Sequence, residues 1–220
     1  MDPQPAARSP QLHVVVIGAG PYGLEAAAWA KSRGHRVTVL ERQNGLGGDW
    51  RLWGNPWSTL QSHKSGYLFA GPPTAVPGEA DLPAYPSRDQ MLRYFQSYAT
   101  ASGIADHIWY GCTATGRTGV SPAGGAGVSR GRGGGVTAAP PGTLGTLGVN
   151  FIDASGAAQT IEATHVFAAP GRVNRRRELS RWVPCTSPWP TAAPLSAVPS
   201  FSFPHLSYPI LGHVILVTPL

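Results

Sequence analysis

Residues 12–42 read LHVVVIGAGPYGLEAAAWAKSRGHRVTVLER, and this stretch decides the fold. Leu12–Ile17 is a near-continuous apolar run with three consecutive valines, as expected of a strand buried on both faces of a parallel sheet. Gly18-Ala19-Gly20-Pro21-Tyr22-Gly23 follows at once and matches the pattern GxGxxG. An Ala-rich segment free of Gly and Pro comes next, which predicts a helix over 21–33 closed by Gly34. Arg36–Leu40 is the second strand, and Glu41 ends it. Strand, glycine turn, helix and strand together occupy roughly thirty residues, the size of one βαβ unit.

Each part of this unit has a physical reason to meet a dinucleotide. Gly18 permits the tight turn off the strand, Gly20 lets backbone approach a pyrophosphate, and Gly23 lets the helix pack against the sheet. The opening of the helix presents N–H groups and a positive dipole end to phosphates. Glu41 lies 23 positions after Gly18 and is placed to accept hydrogen bonds from a ribose diol. A carboxylate there disfavours a 2′-phosphate, so the site is expected to take FAD or NAD rather than NADP. The plainer alternative is a glycine turn that binds nothing. A second glycine run, Gly133–Ala138, fits a looser pattern but has no strand before it and no helix after it.

Outward from this unit the chain is uneven. Residues 43–86 show little periodicity. Ser87 and Gln90 have the spacing of a capping box, which predicts a helix over 88–102 ended by Gly103. Met91, Tyr94, Phe95 and Tyr98 form an apolar stripe expected to pack into the core. His107–Cys112 is a strand candidate, and a small antiparallel meander is expected over about 108–162, with the turn Asp153-Ala154-Ser155-Gly156 inside it. His165–Ala169 is expected as a further strand of the parallel sheet. Residues 121–148 are too poor in large apolar groups to offset their ordering entropy, and read as a disordered insertion in that meander. The organisation expected is therefore a disordered leader over 1–11, an α/β Rossmann-like FAD/NAD(P)-binding region over 12–172, incomplete as a domain, and a disordered proline-rich tail over 173–220. From Trp182 to Leu220 there are eight prolines and no Asp, Glu, Lys or Arg. A composition of that kind is what intron read-through or a shifted frame supplies. Ile210–Thr218 is the one piece there long enough for an edge strand.

Composition excludes several classes. The chain has 220 residues, 42% of them hydrophobic and 13% charged, with a net charge of +6. The arginines at 172, 175, 176, 177 and 181 cluster without interleaved aromatics, so they read as a solvated turn and not a nucleic-acid site. Cys112 and Cys185 are far apart, implying neither disulfide framework nor zinc site. No His/Cys cluster supports a metal and no local motif assembles a Ser/His/Asp triad, so catalytic residues stay unassigned. The first eleven residues lack a signal-peptide core and no stretch is long enough to span a bilayer, so a cytoplasmic protein is expected. His63 reads as a loop hydrogen-bonder. Trp53 and Trp57 read as loop covers, with contact to a base as the alternative.

Beside these local readings, five pieces in order resemble the flavin-containing monooxygenases, especially the plant and algal type. They are Val14–Arg42, GLGGDW (Gly45–Trp50), TLQSHKSGYLFAG (Thr59–Gly71), LPAYPSRDQMLRYFQSYATASGIADHI (Leu82–Ile108) and ATHVFAAPG (Ala163–Gly171). The Gly-Gly-x-Trp element is far more specific than the glycine fingerprint. The resemblance implies FAD in the first site and NADPH in a second. NADPH reduces the flavin, and a C4a-hydroperoxyflavin oxygenates a soft nitrogen or sulfur of a small nucleophilic substrate. Carried over by position, Gly18, Gly20, Pro21, Tyr22 and Gly23 would hold the pyrophosphate, Glu41 the ribose, and Arg42 would lie near the adenosine. Gly48, Asp49 and Trp50 would lie on the flavin side, and Thr59 and Leu60 beside the isoalloxazine. Many members have an Asn there, so Thr59 or Gln61 would have to supply its hydrogen bond. The family's FxGxxxH motif survives only as a glycine in Ile210–Leu216, and no second GxGxxG stands in a strand–helix context. Two rival readings are a catalytically inactive dinucleotide-binding fragment and an FAD-dependent oxidase of another substrate class.

Overall fold

The computed structural model describes residues 11–121, 145–171 and 215–217. Three strands lie within a residue or so of their expected places: β1 (His13–Ile17), β2 (Arg36–Glu41) and, later in the chain, a strand over His165–Ala168. Between the first two runs α1 (Pro21–Ser32); α2 (Asp49–Leu52) is a single turn; α3 is Arg88–Ala101. The capping box at the start of α3 is formed: Ser87 Oγ accepts the Gln90 amide, and Gln90 Oε1 accepts the Ser87 amide at 2.8 Å.

The remaining strands are β3 (Ile108–Tyr110), β4 (Thr113–Ser121), β5 (Thr146–Ile152), β6 (Ala158–Ala163), β7 (His165–Ala168) and β8 (Ile215–Val217). They form two sheets, a five-stranded one in the order β3-β2-β1-β7-β8 and a three-stranded antiparallel one in the order β4-β5-β6. In the larger sheet β3, β2, β1 and β7 are parallel, and β8 pairs antiparallel with β7 at the edge. That edge pairing lies within Ile210–Thr218; the rest of the expected tail and residues 1–10 of the expected leader lie outside the described residues, as does 122–144.

The structure corrects two boundaries. The meander does not begin near 108, because β3 joins the parallel sheet, with Val39 opposite Ile108 and Glu41 opposite Tyr110. The break comes at Gly111, whose φ of 70° turns the chain, with its amide bonded to the Gln43 carbonyl. A short apolar run does not disclose whether its partner runs parallel or antiparallel. The insertion expected over 121–148 is also too wide, since Ser121 pairs with Thr146 and Val120 with Leu147. Leu147 is fully buried, and its burial between the sheets draws the ladder into that glycine-rich stretch.

The sheet separates two apolar clusters. Val14 and Val16 of β1 face α1 and α3 together with Leu24, Val37, Val39, Phe95 and Tyr98. Val15 points the other way, to Leu40, Leu147, Val149, Phe151 and Val166 on the meander side. This two-sided burial is why β1 reads as continuously apolar. The stripe Met91, Tyr94, Phe95 and Tyr98 is buried, as core packing requires. Among the described residues, no helix is long and apolar enough to cross a membrane.

A cleft at the carboxyl ends of the parallel strands

The glycine turn is fixed from both sides. Gly18 has φ 98°, and a Cβ there would lie 2.4 Å from the Ala169 carbonyl oxygen that follows β7. A Cβ on Gly23 would come within 1.9 Å of the Gly18 carbonyl oxygen, so α1 sits directly on the loop only because residue 23 has no side chain. The Gly18 amide donates to the Leu40 carbonyl at 2.8 Å. Glu41, 5% exposed, braces the loop: its Oε2 accepts the Ala19 amide at 2.6 Å and its Oε1 the Gln43 amide at 2.8 Å.

Gly20 is the N-cap of α1, with no side chain capping the helix and no acidic residue in its first turn. Opposite stands the loop Gly45–Trp50, tied on by the Gly47 amide donating to the Ala19 carbonyl at 2.9 Å. A Cβ on Gly48 would lie 3.1 Å from the Gly20 Cα, so the two loops face each other with backbone on both sides. The cavity that opens here has a volume of 520 Å³, within the range of about 300–1,000 Å³ usual for small-molecule sites.

Of the residues singled out from sequence, Gly18, Gly20, Pro21, Tyr22, Glu41, Arg42, Gly48, Asp49 and Trp50 line this cavity. Gly23 lies behind it. Thr59 is exposed, in a bridge with Ser87, and Leu60 is buried in the core, so neither reaches the wall. Gln61, exposed, is not on the wall either. Trp53 stands at the cavity with 68% of its surface exposed, whereas Trp57, 92% exposed, is not part of it. His63 is a loop hydrogen-bonder, its Nδ1 paired with Ser65.

Several wall residues escaped the sequence reading. Ala169, Pro170 and Gly171 follow β7 and stand where a ligand crossing strand ends would pass; the rule that ligands bind beyond the carboxyl ends of parallel strands pointed to them. Glu25 stands one turn beyond Pro21 and Tyr22 on the same helix face, a spacing visible in the sequence. Tyr67, Phe69 and Phe95 make an aromatic end that no local pattern announces. There Trp50 meets Tyr67 edge to face at 5.6 Å and Phe95 at 6.0 Å. Phe69 stacks on Tyr98 with ring centres 3.9 Å apart.

Two ionisable groups on the wall are shifted. Burial pushes the Glu25 carboxyl up against the opposing pull of the Ala70 and Gly71 amides. Burial, and then the negative charge of Asp153, push the Cys112 thiol up, so it stands as a neutral thiol. Among the described residues there is no group of three His, Cys, Asp or Glu side chains able to hold a metal ion. The site is therefore an uncapped helix end and two glycine loops, with a carboxylate at one end and aromatics at the other.

The comparisons agree with this geometry. A family model for an NAD(P)-binding Rossmann-like domain matches residues 16–75. Indole-3-pyruvate monooxygenase YUCCA1 of Oryza sativa subsp. japonica is 38% identical over 108 residues, covering 48% of this chain and 26% of that protein. Flavin-containing monooxygenase FMO GS-OX-like 8 of Arabidopsis thaliana is 31% identical over 115 residues, covering 43% and 25%. The chain thus spans about a quarter of the length of the curated relatives it matches. Among solved structures, a steroid monooxygenase bound to NADP superposes with a TM-score of 0.52 at 19% identity, over 74% of this chain and 26% of that one. S-allyl-L-cysteine S-oxygenase from Allium sativum gives 0.51 at 17% identity, over 75% and 37%. These structural likenesses establish the Rossmann-like fold. A further superposing structure, OTEMO, is a complex with FAD and NADP, at 21% identity and a TM-score of 0.50. Over its N-terminal half, where both glycine loops lie, the chain is thus similar in sequence to flavin-dependent monooxygenases.

Proposed function

We propose that this chain binds FAD in the cleft, as the dinucleotide-binding part of an NADPH-using monooxygenase that oxygenates soft nitrogen or sulfur nucleophiles of small molecules. One observation carries the reading: the uncapped start of α1 and the Gly48 loop face each other across a backbone-walled slot that a Cβ at either glycine would narrow. A diphosphate fits such a slot, because backbone approaches it closely and the helix dipole favours its charge.

The residues present suit the group along its length. Gly18, Gly20, Pro21, Tyr22 and Gly48 would surround the pyrophosphate, with Gly23 setting the helix close enough to reach it. Glu41 would take the ribose diol. Its two oxygens each accept one amide now, and a carboxylate has about four acceptor sites, so two remain for hydroxyls. Arg42 would lie by the adenosine, and Asp49 and Trp50 toward the flavin. Thr59 and Leu60 stand off the wall and carry no part of the reading. When bound, the flavin supplies hydride acceptance and oxygen activation; the protein binds it, orients it and screens one end with aromatics.

Titration calorimetry with FAD and with ADP tests the site. Both are expected to bind, and absence of heat with either ligand would sink the reading. A second reading is dinucleotide binding without turnover. NADPH oxidation by the FAD-loaded chain separates the two.

A further inference from the structure

Glu25 is a carboxylate on the otherwise apolar buried face of α1, only 8% exposed, and it reaches the cavity wall. Putting a carboxylate there costs solvation that only hydrogen bonds offset. The backbone amides of Ala70 and Gly71 lie near enough to pull against that cost. The preceding amide, Phe69, donates to Tyr94 Oη of α3 at 2.8 Å. Three consecutive amides of the segment Gly66–Gly71 thus face side chains of α1 and α3 and not a strand ladder. The segment also closes tightly on α1, since a Cβ on Gly71 would lie 2.3 Å from the Trp29 indole nitrogen. On its other side it presents Gly66, Tyr67 and Phe69 to the cavity.

We infer that Glu25 is a positioning residue for the cofactor site: by gripping the Ala70 and Gly71 amides it sets where Tyr67 and Phe69 stand, and so shapes the end of the cleft that receives the isoalloxazine. The inference rests on the FAD reading above. It separates two functions within one helix. The first turn of α1 meets the diphosphate through backbone; the second turn, through Glu25, holds the aromatic wall. The carboxylate is suited because its two oxygens can accept two adjacent amides, whereas a glutamine at the same place turns an NH₂ toward one of them.

The experiment is FAD and ADP binding to the purified chain, with flavin emission followed as FAD is added. ADP reports the diphosphate end alone. In Glu25→Gln, FAD affinity is expected to fall about tenfold, the scale of one charge-assisted bond to an amide. Bound-flavin emission should rise toward the free value as the aromatic wall loosens, while ADP affinity stays within about twofold. Unchanged FAD affinity and emission in that variant would overturn the inference. Failure of the unsubstituted chain to bind ADP and FAD would instead overturn the cofactor reading itself. If Glu25→Gln loses ADP binding too, Tyr94→Phe decides the matter, since it frees the Phe69 amide of the same segment. Raised emission in Tyr94→Phe supports the positioning role, and wild-type emission refutes it.

Discussion

The two ends of the cleft are built on different principles. The glycine end is lined by backbone: Gly18 and Gly20 come from one contiguous βαβ unit, and Gly48 stands across the slot. The aromatic end gathers Trp50, Tyr67, Phe69 and Phe95 from three separate segments, held in place by side-chain-to-backbone bonds. A backbone-lined site is intolerant of added atoms and indifferent to most side-chain losses. A site lined by side chains has the opposite sensitivities. Substitution should therefore separate the two ends cleanly.

The largest expected effect is at the glycine end. Gly23→Ala puts a methyl 1.9 Å from the Gly18 carbonyl oxygen, which neither backbone can avoid without moving α1 off the loop. A loss of about 3 kcal/mol in a denaturant melt is expected, the upper part of the range for overpacking. A loss under about 1 kcal/mol would show that the loop yields. Gly20→Ala sharpens the contrast. Its Cβ would meet only the Gly48 Cα, at an ordinary 3.7 Å, and its φ of −75° suits alanine. Stability should stay within about 0.5 kcal/mol. ADP affinity should fall at least about tenfold, because the methyl occupies the slot.

At the aromatic end the expected effects are smaller and depend on bonds. Tyr94→Phe removes the acceptor of the Phe69 amide and should cost about 1–2 kcal/mol. Tyr98 is equally buried, but its hydroxyl has no hydrogen-bond partner among the described residues. Burial, then the charge of Glu25, push its phenol well above the usual range, so it stays neutral. Tyr98→Phe should therefore change stability by less than about 0.5 kcal/mol, or raise it. Equal costs for the two variants would break the argument that the bond, and not the ring, holds the segment.

The gentlest change lies at the sheet end remote from the cleft. His13 opens β1, His165 opens β7, and His35 precedes β2. Burial lowers all three pKa values from 6.5, helped at His13 by Arg36, at His35 by Arg33 and at His165 by His35. In each case the unfolded chain binds the proton more readily, so stability rises with pH through this window. The contribution is fully present above the unfolded value of 6.5 and is lost as pH falls through the lower folded values. Melting temperature should decline between pH 7 and pH 5, with a shallower slope in His165→Gln. An identical slope in that variant would remove His165 from the account.

Much of this architecture was legible beforehand. β1, α1, β2 and the Ser87 cap follow from contiguous residues, because strand burial, helix propensity and capping act over a few positions. So does the glycine end of the cleft, since a glycine loop and the acid closing the next strand sit at a spacing that one βαβ unit imposes. Glu25 was within reach through its spacing from Pro21 and Tyr22. It was passed over because an Ala-rich helix announces no inward polar face.

Sequence alone thus determined that a βαβ unit would form here and where its glycine turn would lie, because those features depend on neighbours in the chain. Tertiary structure alone decided that Ile108–Tyr110 would extend the parallel sheet, that Leu147 would pull a glycine-rich stretch into a ladder, and that Thr59 and Leu60 would fall outside the cleft while Tyr67 and Phe69 line it. Those outcomes turn on which distant surfaces meet and exclude water. A short apolar run carries no record of its eventual partner.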